Sequence, residues 1–137
     1  MWYRWGTRTM TTADAHRMFN VERLRYVELS PRAATVRLHV VRKHFLPKPE
    51  ARDFAWYEPD AHRICITRRL LAQPETTVVG VLRHELGHAV DARLNAPGAE
   101  ARADRIARAA TGEPIRYHND VQDVARGKVG RPRHLPT

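Results

Sequence analysis

Apolar residues recur along this chain in two rhythms, helical and alternating, and each predicts different elements. From Thr12 to about Leu29 the apolar positions Ala15, Met18, Phe19, Leu24 and Val27 follow a helical spacing. Thr12 is the expected cap, with Ala13, Asp14 and Ala15 in the first turn. Pro31 ends that element, because its ring cannot continue a helix. Residues 34–42, ATVRLHVVR, alternate instead. Val36, Leu38 and Val40 face one way and Arg37 and His39 the other, as in a half-buried strand. The two prolines of LPKPEARD mark a loop. Phe54, Trp56 and the run Ile64–Thr67 then flank the turn-like EPDAHR, which reads as a hairpin or two short strands.

A longer helix is expected from about Glu75 to Leu94, with Pro74 at its start. Val78, Val79, Leu82, Leu86, Ala89 and Val90 cover so much of its circumference that it should be largely buried. Asn95, Pro97 and Gly98 break it. A second helix follows from about Ala99 to Ala110, with Ala99, Ala103, Ile106, Ala107 and Ala110 inward and Gly112 as its stop. Residues 1–10 carry Trp2, Tyr3 and Trp5 and look irregular, while 113–137 is a loop-like tail with Gly127, Gly130, Pro132 and Pro136. The predicted architecture is a single α+β domain over 1–137 with its core at about 12–112. A helix precedes a small mixed or antiparallel sheet, and the last two helices pack together.

Composition changes this picture only at the margins. With 137 residues, 42% of them hydrophobic, the chain can bury a core without staples. Its single cysteine, Cys65, excludes an intrachain disulfide; between Ile64 and Ile66 it reads as a small buried hydrophobe. No apolar run approaches the ~20 residues that span a bilayer, and the first ten residues lack the apolar stretch of a secretory signal. A cytoplasmic protein without membrane partners is expected. The net charge of +9 admits an acidic or nucleic-acid partner. It is equally an arginine bias, since the arginines are scattered, and no nucleic-acid-binding motif is present.

The chemistry concentrates in HELGH. His84 and His88 lie four residues apart on the long helix, so they project from one face, one turn apart. At that spacing two imidazoles can reach one Zn²⁺ at about 2.0–2.1 Å. Glu85 falls beside the metal rather than on it, placed as the general base toward a water acidified by zinc. From this composition roughly 0.03 accidental H-E-x-x-H matches are expected per chain, so chance alone does not supply the motif. A catalytic zinc needs a third protein ligand and an open position. Glu100, in the first turn of the next helix, is brought back toward the histidine face by the short ARLNAPGA turn. It also suits a helix N-terminus as a carboxylate. Asp91, one turn beyond His88, is the competing third ligand or a support for a ligand histidine; its short side chain on the same helix reaches the metal less well. The oxyanion of an acyl-transfer transition state also needs a donor. Tyr117 and His118 are the candidates, with Tyr57 behind them.

HELGH followed by E-x-x-A-D at Glu100–Asp104 resembles the gluzincin metallopeptidases, in particular the minimal ones of the ImmA/IrrE type. The resemblance covers about residues 52–112 and implies a zincin-like domain. His84, His88 and Glu100 would be the zinc ligands, Glu85 the base, and Asp104 the carboxylate that supports a ligand histidine. It also implies a peptide or protein substrate bound as an added strand along the sheet edge, at residues 54–58 or 62–67. The chain departs from the pattern in the eleven residues, 89–99, between His88 and Glu100, a short connection. Three other readings stay open. They are a non-catalytic zinc-binding domain of the same fold, a basic nucleic-acid-associated protein, and a metal-free regulatory domain.

Overall fold

The computed structural model describes residues 9–41 and 54–113. Helix α1 (Thr12–Val27) is followed by a 3-10 turn (Pro31–Ala34) and strands β1 (Arg37–Val41), β2 (Ala55–Glu58) and β3 (Arg63–Thr67). Helices α2 (Arg68–Leu71), α3 (Glu75–Val90) and α4 (Ala99–Thr111) complete the order. The α+β class and the mixed sheet are as the sequence predicts. Strand order is β1-β3-β2. β3 pairs parallel to β1, with Leu38 opposite Ile64, and antiparallel to β2, with Tyr57 opposite Ile64.

That register places Leu38, Val40, Ala55, Tyr57, Ile64 and Ile66 on one face, where they pack into the core beneath the helices. The other face carries the cross-strand ion pair Glu58–Arg63, 2.7 Å, and the indole N–H of Trp56 donating to Glu58 at 2.9 Å. Cys65 is buried on that face, and burial pushes its thiol up to about 11. It is a packed thiol, as its apolar neighbours suggest. Residues 62–67 are excluded as the open edge for an added strand, because β3 is already paired on both sides. β2 lies at an edge among the described residues.

Four local readings are corrected. The cap of α1 is Thr11 rather than Thr12. Its hydroxyl accepts from the Asp14 amide at 3.0 Å, and the Asp14 carboxylate accepts from the Thr11 amide at 3.1 Å. This is a capping box with Asp in the Glu position. The inward stripe of α1 is Ala15, Met18, Phe19, Glu22 and Tyr26, whereas Leu24 is 64% exposed. The helical period is preserved, but two polar residues occupy it because partners await them on α3. Glu22 meets Arg83 at 2.7 Å, and the Tyr26 hydroxyl donates to the Arg83 carbonyl at 2.7 Å. Helix α2 is an element that the apolar pattern did not signal. Thr67 ends β3, and its hydroxyl accepts from the Leu70 amide at 3.3 Å. Finally, α3 stops at Val90, four residues short of Leu94, where Asp91 leaves helical geometry with ψ 111°.

Helix α3 is the centre of the molecule, with every residue from Val78 to Val90 buried. Its apolar members Val78, Val79, Leu82 and Leu86 contribute about 1.5–3 kcal/mol each by leaving water. Arg83, His84, Glu85 and His88 are buried on the same helix and require partners, since an unpaired buried charge costs several kcal/mol. No described helix is long and apolar enough to cross a membrane. Removing the Arg83 partner tests this account. Glu22→Ala should destabilise the fold by about 3 kcal/mol in urea unfolding, the lower end for a broken buried pair because Glu113 still reaches Arg83 at 3.3 Å. A loss below about 1 kcal/mol would contradict it.

Candidate metal centre

Two helices build the site. His84, Glu85 and His88 come from α3, and Glu100 and Asp104 from α4. The helices can share one site because they approach at Gly87, with nothing but backbone between them. A Cβ added there would run into the Ala103 carbonyl oxygen and lie 2.9 Å from the Ala103 Cα. Ala103 and Ala107 are fully buried at the same seam. Small residues on both helices therefore bring the carboxylates of α4 within reach of the histidines of α3.

The resulting geometry is tight. His84 Nε2 lies 2.8 Å from Glu100 Oε1 and 3.1 Å from His88 Nε2, and His88 Nε2 lies 3.3 Å from Glu100 Oε2. One atom from each of the three residues falls within 4.8 Å of the others, and this is the group among the described residues able to hold a metal. Tetrahedral zinc with bonds of about 2.0–2.1 Å spaces its ligand atoms about 3.3–3.4 Å apart. The observed separations need to open by a few tenths of an ångström: rotation of exposed Glu100 relieves its own contacts, and small turns of the two imidazoles relieve the one between them. Two imidazole nitrogens and a carboxylate are also the donor types that zinc accepts. On both counts the residues fit the ion.

Electrostatics agree with that fit. His84 Nδ1 lies 2.8 Å from Asp104 Oδ1, so both ring nitrogens of His84 face carboxylates. Burial alone would lower its pKa. Hydrogen bonds to Asp104 and Glu100 and the field of Glu85 outweigh burial and push it up to about 10. The same contact seen from its other end, with His84 and then His88 donating, holds the Glu100 carboxyl well below the usual range. A proton on His84 is thus the cation that three surrounding carboxylates demand when no metal is bound. Glu85 is buried, and desolvation raises its pKa while His84 and His88 oppose the rise. His88 is less supported, because its Nδ1 is buried without a hydrogen-bond partner and its ring rests edge-on against His84 at 4.7 Å.

Asp104 therefore stands where a support for His84 is expected. Asp91 does not join it. Its Oδ2 accepts from Arg102 Nε at 3.0 Å and its Oδ1 from the Arg93 amide at 2.8 Å, so the structure pairs it with Arg102 and the turn and not with a histidine. A carboxylate at the C-terminal end of α3 is bound by the nearest guanidinium and by the turn that it opens. Tyr57 is committed as well. His62 Nε2, 2.9 Å from the Arg32 carbonyl, must donate, so His62 Nδ1 accepts the Tyr57 hydroxyl at 2.7 Å. Tyr117 and His118 lie outside the described residues. Sequence reasoning missed Arg102, Glu22 and Arg83. An arginine two residues after the candidate third ligand was the available signal for Arg102, while nothing local marks Glu22.

Two outcomes follow. Gly87→Ala should force α4 outward and weaken zinc binding by tenfold or more in chelator competition, whereas Ala89→Gly, two residues along the same helix, should weaken it far less. In metal-free protein, the Glu100 contribution to stability is fully present above its ordinary 4.5, and the His84 contribution is fully present below 6.5 and lost as pH rises toward about 10. Denaturation with chelator present should therefore show a loss of stability between pH 6.5 and 10 that Asp104→Asn and Glu100→Gln each reduce. A flat profile in the parent protein would contradict the His84 assignment.

Comparison with protein-family models, characterised proteins and solved structures finds no match to this chain, so its functional reading rests on the site itself.

Proposed function

We propose that this protein is a zinc-dependent metallopeptidase. The observation that carries the proposal is the convergence of His84, His88 and Glu100, with buried Glu85 on the same helix and Asp104 behind His84. Zinc, when bound, supplies Lewis acidity and makes water a nucleophile near neutral pH. His84, His88 and Glu100 would hold the ion, and Asp104 keeps the His84 ring oriented with Nε2 toward the site. Glu85 accepts the proton from the attacking water as its oxygen bonds to the peptide carbonyl carbon. It then delivers that proton to the amide nitrogen as the C–N bond breaks. Glu85 suits this task by its place beside His84 and His88 on the same buried helix, where desolvation raises its carboxyl above the usual range.

The described residues bring three candidate ligands together, the number that a catalytic zinc takes, whereas a closed structural site uses four. Glu100, with its side chain 67% exposed, leaves the cluster open to solvent on one side. The proposed substrate is a peptide or protein, laid along edge strand β2 at residues 54–58. A cytoplasmic setting accords with Cys65 as a free thiol.

The test pairs metal content with hydrolysis of a mixed peptide library. The parent protein should hold about one zinc and cleave peptides, with cleavage lost to chelator and restored by zinc. Glu85→Gln should keep the zinc and lose about 10²–10⁴-fold in rate, the range for removing a general base. Zinc binding without cleavage in the parent would leave the non-catalytic zinc domain. No zinc after loading would refute the site.

A further inference from the structure

Helix α4 begins without the usual anchor. Its N-cap is Gly98, in left-handed geometry at φ 86°, and no side chain caps its first turn. Glu100 stands in that uncapped turn with its side chain 67% exposed, so its own packing does not hold it against the histidines. The turn is tied down from inside α4 by Arg102, whose side chain is 11% exposed. Arg102 Nε donates to Asp91 Oδ2 at 3.0 Å, Nη1 to the Pro97 carbonyl at 2.6 Å, and Nη2 to the Ala96 carbonyl at 3.0 Å and to the Arg93 carbonyl. Asp91, its side chain 4% exposed, also accepts from the Arg93 amide.

We infer that Arg102, locked to Asp91, is a positioning residue for the metal centre. It fixes the turn between α3 and α4 and so aims Glu100 at His84 and His88. This rests on the metal reading above. The Gly87–Ala103 seam sets how close the two helices come. It leaves the first turn of α4, four residues before Ala103, free to splay. A guanidinium suits the task because its rigid fork of donors serves a carboxylate and several carbonyls at once, which an ammonium cannot do. Orienting residues behind metal ligands commonly contribute 10–100-fold to affinity.

A double-mutant cycle on the full chain, read by zinc affinity in chelator competition, separates aiming of Glu100 from general support. Arg102→Met keeps the aliphatic stem and removes the fork. It should weaken zinc binding about 10–100-fold where Glu100 is present, and less than about twofold in the Glu100→Ala background, where no carboxylate remains to be aimed. Arg102→Lys should fall between Met and the parent, and it carries the same cycle if Arg102→Met does not fold. Equal losses in both backgrounds, or no loss in either, would overturn the clamp while leaving the metal centre standing. Failure of the parent to bind zinc would overturn both.

Discussion

The backbone contact of α3 with α4 at Gly87 and Ala103 is the constraint from which the site follows. His84 and His88 can be placed on one face by any helix, because their spacing is local. A third ligand from another element must come within about 3 Å of both, and a side chain at position 87 would hold α4 too far away. Glycine on one helix and alanine on the other remove that obstacle. The distance is thereby set by the smallest residues in the site and not by the residues that would touch a metal.

Such closeness has an electrostatic consequence. Glu85, Glu100 and Asp104 surround two histidines at the edge of a buried helix, and their combined negative field calls for a cation. Hydrogen bonds to Asp104 and Glu100 favour the protonated form of His84, which its burial alone would disfavour. On the proposed reading, a bound metal would have to displace that proton. Metal affinity and proton affinity are therefore linked, since zinc needs the neutral imidazole.

Helix α3 also carries Arg83 into the interior, immediately before the first histidine. Glu22 and Tyr26 of α1 satisfy it, and Glu113, just past the end of α4, reaches it as well. Helix α3 is thus held by polar contacts at Arg83 and by small-residue packing at Gly87, around an apolar body. Replacing the pair by apolar residues could cost little stability, but a hydrogen-bonded pair specifies one rotation of α3. Rotation decides whether His84 and His88 face α4 at all.

Much of this was written in local sequence. Alternation over 36–40 reported a strand because side chains on a strand point to opposite faces. The i, i+4 histidines with Glu85 between them reported a helix with both imidazoles on one face, and the short connection to Glu100 reported the helix beside it. Glycine at 112 reported the end of α4, where φ is 77°. What local pattern could not decide was where polar groups find partners. Leu24 fits the helical rhythm yet faces water, while Glu22 is fully buried, because the choice belongs to Arg83, 61 residues away. Asp91 has the spacing of a ligand from His88, yet it lies where α3 ends and its carboxylate accepts from Arg102. The sequence by itself determined the elements and the identity of the chemical groups, since periodicity and spacing act over one or two turns. Only the tertiary structure decided which carboxylates meet the histidines and which are spent on holding the chain, because hydrogen bonds and ion pairs are allotted by distance in space.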